Sequence, residues 1–321
     1  MPSAAASFST EMERAHTPVL LEELLALLDV EEDSCVLDCT FGAGGHAAAV
    51  AAMLGPRGLL VACDRDPVAE DFYVALAPTL RCPSQFLAGD FADALETLRD
   101  EGRSFTHIYM DLGVSSMQLD TVERGFSYSF DAPLDMRMDP ATPVTAADIV
   151  NNWTERDLAE LFTRYGEERH SRRIARAIVR RREVSPFSRT AELVETIKDA
   201  IPTPARFAAG NPARRVFQAL RIEVNNELDS LRKALPLAFS LLEAGGKLAV
   251  ISFHSLEDRL VKEFFAAKAR SCSCPPGFPV CVCGGKAEGQ LVTTKAIAPS
   301  PREVALNPRS SSARLRVLRK F

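Results

Sequence analysis

The sequence predicts an α/β protein that has a Rossmann-like sheet and an inserted all-helical domain. Three observations lead to this fold class. Short apolar segments alternate with helical segments from residue 35 to residue 111, the alternation stops between residues 118 and 211, and it resumes near residue 246. Buried parallel strands separated by helices produce such an alternation, so we expect the middle stretch to interrupt a single sheet.

The first part of the chain supplies four strands and the helices that connect them. An amphipathic helix is predicted over residues 17–30, where Thr17 suits the N-cap and Pro18 the first helical position. The predicted strands cover residues 35–38, 58–63, 85–88 and 106–111. The helices between and after them cover residues 46–54, 67–76 and 91–99.

The middle part of the chain is predicted to be helical, and the last part returns to the sheet. The helices of the middle part cover residues 146–153, 155–165, 170–182 and 190–200. The elements after it are one or two helices over 214–242, a strand at 246–253, a helix at 256–269, and strands at 291–296 and 313–318. The predicted domains are residues 1–117, a helical insertion at 118–212 that faces the substrate, and residues 213–321.

The composition excludes several classes of protein. Hydrophobic residues make up 46% and charged residues 25% of the 321 residues, which is typical of globular proteins. No apolar run is long enough for a membrane span. The first ten residues lack the apolar region of a secretory signal, and Glu11 and Glu13 do not suit a mitochondrial presequence. We therefore expect a cytoplasmic protein without a membrane partner.

Positive charge is concentrated in two segments of an acidic chain. The net charge is −5, yet residues 164–182 contain eight Arg and two Glu. Residues 302–320 contain six basic residues and one acidic residue. This distribution fits a protein that touches phosphate groups at defined places, although a solvated helix face and a basic tail would look the same.

A glycine-rich loop follows the first predicted strand. Gly42, Gly44 and Gly45 allow the backbone to turn tightly and to approach a ligand closely. The spacing also satisfies a loose dinucleotide fingerprint, so an NAD-dependent oxidoreductase is one alternative. Asp38, just before the loop, fits poorly beside a pyrophosphate but suits the ammonium group of an amino-acid-bearing cofactor.

Acidic residues end three further predicted strands. Asp64 lies where a carboxylate binds ribose hydroxyls, whereas Asp66 is expected to cap the next helix. At the third strand, Asp90 and Phe91 are placed to contact an adenine ring. Asp111 ends the fourth strand. Because the carboxyl ends of parallel strands share one edge of the sheet, these residues predict a single ligand crevice.

Several longer motifs occur in order along the chain. They are HTPVL at 16–20, DLGVSSMQLD at 111–120, ERGFS at 123–127, PLDMRMD at 133–139, GEER at 166–169, QALRI at 218–222, VN at 224–225 and SFHSLED at 252–258. Together they resemble the RsmH (MraW) family of bacterial 16S rRNA (cytosine-N4)-methyltransferases. The resemblance extends over residues 16–315, essentially the whole chain.

The resemblance implies a class I S-adenosylmethionine-dependent methyltransferase sheet and names the cofactor contacts. By resemblance these are Gly44, Gly45, His46, Asp64, Phe91, Asp111 and Gln118. The implied substrate is the N4 amine of a decoding-centre cytidine of 16S rRNA in the small ribosomal subunit, with no DNA partner. A non-catalytic S-adenosylmethionine-binding ribosome-assembly factor is a further alternative.

The catalytic residues remain unassigned at this point. An N4 amine must be held near the methyl group, and a neighbouring group must accept its N–H hydrogen bond. The sequence Asp-Leu-Gly-Val at 111–114 replaces the tetrad that DNA amino-methyltransferases use after their fourth strand. Candidate acceptors are Ser115, Ser116, Asp135, Asp139 and His254. A structural hydrogen bond or a helix cap is the alternative role for each.

Four of the eight cysteines are clustered. Cys272, Cys274, Cys281 and Cys283 form two C-x-C pairs that are separated by six residues. This arrangement resembles a structural zinc knuckle, although its spacing is tighter than the usual C-x₂-C. A metal-free or redox-active loop is the alternative, so no residue is assigned to a metal.

Overall fold

The computed structural model describes residues 18–203, 211–271 and 285–321. The chain forms two compact units, one made of residues Met1–Gly113 and Ser230–Phe321 and the other of Val114–Asp229. The sequence-based domain limits were 118 and 212, so the second unit starts earlier and ends later than that division. No helix in the described part of the chain is both long and apolar enough to cross a membrane.

A seven-stranded sheet forms the centre of the first unit. Its strands are β1 (Cys35–Asp38), β2 (Leu59–Asp64), β3 (Ser84–Ala88), β4 (Phe105–Asp111), β5 (Leu242–Ser252), β6 (Gly289–Leu291) and β7 (Arg314–Lys320). Their order in the sheet is β3-β2-β1-β4-β5-β7-β6. The pairs from β3 to β5 are parallel, whereas β7 runs antiparallel to both β5 and β6. The predicted Rossmann-like α/β fold is confirmed.

Thirteen α-helices are assigned in the described residues. The first unit contains α1 (Leu21–Leu28), α2 (Gly45–Ala51), α3 (Pro67–Leu76), α4 (Phe91–Asp100), α12 (Ser255–Ala269) and α13 (Pro301–Leu306). The second unit contains α5 (Ser116–Asp120), α6 (Ala146–Asn152), α7 (Glu155–Arg164), α8 (Ser171–Arg182), α9 (Thr190–Ala200) and α10 (Ala213–Val224). The helix α11 (Glu227–Leu241) begins in the second unit and continues in the first.

Helices cover both faces of the sheet. One apolar cluster joins the sheet to α1, α2 and α3, and a second joins it to α4, α11 and α12. The parallel strands β1, β2 and β4 are therefore buried on both sides, which explains why they read as continuous apolar runs. Burial of both faces also leaves the strand ends as the places where polar side chains can meet a ligand.

The second unit contains no named strand among its described residues. Its helices pack through apolar stripes, and α8 buries Ile174, Ala175 and Ile178. Its loops are held by polar contacts: Asn225 accepts a hydrogen bond from the Met138 N–H at 2.7 Å and donates one to the Met136 carbonyl at 2.8 Å. This unit is the helical insertion that the sequence predicts.

The structure corrects several predicted elements. The first helix begins at Leu21 rather than residue 17, because Leu20 adopts a left-handed conformation with φ 55°. The sixth strand is only Gly289–Leu291, and the helix Pro301–Leu306 was not predicted. This helix is short and buries no residue, so it lacks the apolar periodicity from which helices are predicted.

Candidate functional site

The glycine loop lies between β1 and α2. Gly44 has φ +78°, and a Cβ atom there would lie 2.7 Å from Cζ of Phe41. A Cβ atom on Gly45 would lie 2.6 Å from Cγ of Pro18. Packing within the first unit and backbone conformation therefore both require glycine in this loop. Glycine is therefore required at these two positions by contacts within the protein, whether or not a ligand also approaches them.

Asp38 ends β1 and is completely buried. Its Oδ2 accepts a hydrogen bond from the Tyr109 hydroxyl at 2.7 Å, and its Oδ1 accepts one from the Thr40 N–H at 2.9 Å. Burial raises the pKa of Asp38 to about 7, although both hydrogen bonds oppose the shift. Tyr109 was missed by the sequence analysis. It precedes Asp111 by two residues on β4 and so shares its face of the sheet.

Asp64 ends β2 and organises two neighbouring backbone segments. Its Oδ2 accepts a hydrogen bond from the Gly42 N–H at 2.7 Å, and its Oδ1 accepts one from the Asp66 N–H at 2.9 Å. Burial raises the pKa of Asp64 above its usual value. The same residue thus shapes the glycine loop and retains lone pairs for a ligand, because each carboxylate oxygen can accept more than one hydrogen bond. Asp66 caps α3 as expected.

Asp90 follows β3, and its carboxylate is already used within the protein. Its Oδ1 accepts a hydrogen bond from the Ala92 N–H at 2.7 Å, and its Oδ2 accepts one from the Ser230 hydroxyl at 2.9 Å. Arg65 forms an ion pair with the same carboxylate. Phe91 is the first residue of α4 and packs partly buried against the core. These contacts favour Phe91 over Asp90 as the adenine contact.

Asp111 ends β4 beside the glycine loop. Its backbone N–H donates to Oγ1 of Thr40 at 2.6 Å. Its Oδ1 is buried and has no hydrogen-bond partner among the described residues. Burial and the nearby carboxylates of Asp38 and Glu257 raise the pKa of Asp111 well above its usual value. An unpartnered buried oxygen is costly, so this carboxyl group is suited to bind a ligand.

His46 is the second residue of α2 and is buried. Its Nε2 lies 3.0 Å from the carbonyl oxygen of Val19, and its Nδ1 lies 3.5 Å from Oδ2 of Asp111. Burial lowers the pKa of His46 to about 4. His46 is therefore neutral at physiological pH and does not neutralise the neighbouring carboxyl groups.

The charge balance of this strand edge fits a cationic ligand. Asp64, Asp38 and Asp111 end β2, β1 and β4 respectively, which are adjacent in the sheet. Of these three carboxyl groups, only Asp64 has a pKa that a neighbouring cation lowers, and that cation is Arg65. No cation contributes to the pKa shifts of Asp38 and Asp111. A ligand that brings an ammonium and a sulfonium group supplies the missing positive charge. The residues present therefore fit S-adenosylmethionine.

Gln118 belongs to the second unit, in helix α5. Its side-chain Oε1 accepts a hydrogen bond from the Ser115 N–H at 3.0 Å, and its N–H donates to Oγ of Ser115 at 3.3 Å. This reciprocal pair is a capping box. Gln118 and Ser115 therefore have a structural role at the start of α5, and the ligand contact of Gln118 stays a prediction.

Three further candidate acceptors, Asp135, Asp139 and His254, are also engaged in structural contacts. Both oxygens of Asp135 accept hydrogen bonds from the Arg137 guanidinium at 2.8 Å, and the pKa of Asp135 is lowered. Asp139 accepts a hydrogen bond from the Ala141 N–H at 2.8 Å. His254 is the N-cap of α12 and accepts from the Glu257 N–H. None of these contacts identifies a catalytic base.

The basic segment of the second unit exposes a row of arginines on α8. We call this surface the arginine face; its residues are Arg172, Arg173, Arg176 and Arg180. The Arg176 side chain lies 3.3 Å from Glu155, whereas the side chains of the other three make no ion pair or hydrogen bond within the described residues. A surface cavity of about 580 Å³ lies at the start of α8 and includes Arg172 and Arg173 in its lining. The apolar periodicity of residues 170–182 also predicts Ala177 on the buried face of α8, but this residue is only partly buried.

The carboxy-terminal basic segment is used differently. Arg316 makes a bidentate ion pair with Asp258, at 2.7 and 3.0 Å. Lys320 donates to the carbonyl oxygens of Ser240 and Leu242. These two cations stabilise the packing of β7 in the first unit. The positive charge of the segment therefore did not by itself predict a phosphate-binding role for them.

The cysteine cluster lies outside the described residues. The zinc site suggested by Cys272, Cys274, Cys281 and Cys283 therefore stays a prediction. The other four cysteines are free thiols, three of them buried. They behave as small apolar residues of the core, as the sequence indicates.

Comparison with known proteins identifies the family. The model of the MraW methylase family matches residues 13–321. A Heliobacterium mobile protein named Ribosomal RNA small subunit methyltransferase H is 47% identical over 313 residues, which cover 97% of this chain and 100% of the relative. A Symbiobacterium thermophilum protein of the same name is 48% identical over 315 residues, which cover 95% and 96% of the two chains.

Among solved structures, an rRNA methylase from Streptococcus thermophilus is similar to this chain with a TM-score of 0.41 and 10% sequence identity. The match covers 94% of this chain and 93% of that chain. The family resemblance seen in the sequence motifs is confirmed by the family model and by the sequence relatives. The chain therefore belongs to the MraW methylase family and is an S-adenosylmethionine-dependent methyltransferase.

Proposed function

We propose that this enzyme transfers a methyl group from S-adenosylmethionine to the N4 amine of a decoding-centre cytidine in 16S rRNA. Membership of the MraW methylase family and relatives named as small-subunit rRNA methyltransferases support ribosomal RNA as the substrate class. The cytidine and its N4 amine rest on the resemblance of the sequence motifs. We infer that the enzyme acts in the cytoplasm, where its ribosomal substrate is assembled.

The observation that carries the methyltransferase function is the group of carboxyls at the strand ends. We propose that the cofactor contacts are Gly44, Gly45, His46, Asp64, Phe91, Asp111 and Gln118. Asp64 would bind the ribose hydroxyls and Phe91 would pack against the adenine. Asp111, with its unpartnered Oδ1, would face the positively charged end of the cofactor.

When bound, the cofactor would supply an electrophilic methyl group for the N4 amine. The carboxyl groups of the protein orient that end of the cofactor, and the buried core beneath the loop keeps water away from them. The N4 amine sheds one proton in the reaction. The residue that receives it is unassigned, and four of the five candidates have a structural contact: Ser115, Asp135, Asp139 and His254.

The arginine face would dock the RNA. Its exposed guanidinium groups suit phosphate oxygens, which they contact without reading the base sequence. Along α8, Arg172, Arg176 and Arg180 recur every four residues, about 6 Å apart along the helix axis. These positions form one stripe along which an RNA backbone could bind. The charge of +6 in residues 164–182, inside a chain of net charge −5, supports this assignment.

Mass spectrometry of 16S rRNA tests the proposed reaction. Under-methylated small subunits are incubated with the enzyme and isotope-labelled S-adenosylmethionine, and the rRNA is then digested and sequenced by mass. We expect one labelled methyl group on N4 of one cytidine. A variant such as Asp111→Ala provides the inactive control. Cofactor binding without methyl transfer would favour the ribosome-assembly factor, and label at another atom would refute the N4 assignment.

A further inference from the structure

The contact between His46 and Asp111 has a consequence for the protons of the site. The carbonyl oxygen of Val19, 3.0 Å from Nε2 of His46, can only accept a hydrogen bond. Nε2 therefore carries a hydrogen. In a neutral ring the other nitrogen, Nδ1, then has a free lone pair. This nitrogen lies 3.5 Å from Oδ2 of Asp111.

A carboxylate oxygen and an imidazole lone pair repel each other unless one of the two groups is protonated. The proton resides either on the imidazole, giving a charged pair, or on the carboxyl group, giving a neutral pair. The surroundings decide between them. His46 and the Oδ1 atom of Asp111 are buried, while 25% of the Asp111 side chain is exposed. Burial of these atoms disfavours the charged pair when no further hydrogen bonds stabilise it. The Oδ1 atom of Asp111 has no such bond among the described residues.

Every other ionisable group that affects Asp111 also favours its neutral form. Asp38 from β1 and Glu257 from α12 are acids, and both raise the pKa of Asp111. Tyr109 from β4 directs its hydroxyl hydrogen to Asp38 and not to Asp111. His46 from α2 has its pKa lowered to about 4. No cation contributes to the shift of Asp111.

We propose that Asp111 is a neutral acid in the cofactor-free enzyme, with its proton directed at Nδ1 of His46, and that cofactor binding expels this proton. The O–H bond of Asp111 breaks, the carboxylate keeps the electron pair, and the proton passes to the buffer. The positive charge of the cofactor replaces the positive charge of the proton. His46 is a positioning residue here. The inference rests on the proposed contact between Asp111 and the cofactor.

Calorimetry in several buffers measures the number of protons released. S-adenosylmethionine is titrated into the enzyme at one pH near neutrality in buffers that differ in ionisation enthalpy. The slope of the observed heat against that enthalpy gives the proton count. We expect Asp111→Asn to release about one proton fewer than the wild-type enzyme on binding the cofactor. Binding without proton release in the wild-type enzyme would overturn the proposal.

Asp38→Asn is the matched control, because Asp38 is the neighbouring buried acid. The release should persist in this variant, and its loss would assign the proton to Asp38 and refute our assignment. This comparison also serves if Asp111→Asn does not fold. Infrared difference spectra of the wild-type enzyme and Asp38→Asn provide a second readout. In both, the difference between the bound and free spectra should show the loss of one protonated-carboxyl C=O band, and difference spectra without that loss would contradict the proposal.

The role of His46 is tested by His46→Phe, which keeps an aromatic ring but removes the lone pair. A hydrogen bond to the neutral acid raises its pKa. The midpoint of the curve of proton release against pH should therefore move to lower pH in this variant. An unchanged midpoint would refute the role of His46. Cofactor binding without proton release leaves the methyl-transfer assay unaffected, so failure of this inference and failure of the proposed function are distinguishable.

Discussion

Asp64→Ala is the substitution for which the structure predicts the most specific consequence. The carboxylate accepts two backbone hydrogen bonds, from Gly42 at 2.7 Å and from Asp66 at 2.9 Å. Alanine removes both and leaves the Gly42 N–H without this acceptor. A hydrogen bond to a charged group contributes about 1.5–3 kcal/mol, and a buried polar group left unpaired costs about 1–3 kcal/mol. We expect the unfolding free energy to fall by an amount in this range.

The same substitution should weaken cofactor binding. Loss of the carboxylate removes the proposed ribose contact and loosens the glycine loop, for which we expect a cost of about 1–3 kcal/mol. This corresponds to a dissociation constant raised about 5- to 150-fold. Isothermal titration calorimetry with S-adenosylmethionine measures the change, and chemical denaturation measures the stability.

Asp71→Ala provides the matched control. Asp71 is an exposed aspartate in the helix that follows the same strand, so its removal tests the effect of losing one negative charge nearby. Neither affinity nor stability should change by more than about 0.5 kcal/mol. Unchanged affinity in Asp64→Ala, with the loop destabilised as predicted, would show that the ribose is bound elsewhere.

Three further substitutions test other parts of the structure. Burial raises the pKa of Asp38 from 3.8 to about 7, so the folded state binds this proton more tightly than the unfolded state does. The resulting contribution to stability is fully present below the unfolded-state pKa and is lost as the pH rises through about 7. Asp38→Asn cannot ionise, and denaturation curves should show it gaining up to about 4 kcal/mol relative to wild type between about pH 4 and pH 8; a constant difference would contradict this pKa. Glutamine at Arg172, Arg173 and Arg176 should raise the apparent Michaelis constant for ribosomal substrate and reduce the salt slope of binding by roughly 0.7–0.9 per phosphate contact. Affinity for S-adenosylmethionine should stay constant, and an unaltered salt slope would show that these arginines do not meet phosphate. Gly166→Ala would place a Cβ atom 2.6 Å from the carbonyl oxygen of Arg215 and 2.7 Å from that of Phe162. Thermal unfolding should therefore show a loss of about 1–3 kcal/mol in the free energy of unfolding.

The sequence determined the features that depend on neighbouring residues. Apolar runs separated by helices predicted the parallel sheet, and the glycines after β1 predicted its loop. Asp38, Asp64 and Asp111 were recognised as strand ends because each follows an apolar run directly. The capping role of Asp66 also followed from local chemistry. These signals act over a few residues, which is the distance over which backbone periodicity and turn preferences operate.

Only the tertiary structure decided which partners these residues have. Tyr109 reaches Asp38 from a position 71 residues away, and Ser230 reaches Asp90 from 140 residues away. No local pattern encodes such pairings, because they arise when strands and helices pack against each other. Burial likewise sets the pKa of Asp38, and it depends on the whole core rather than on sequence neighbours. The sequence therefore located the acids, and packing determined their protonation and their partners.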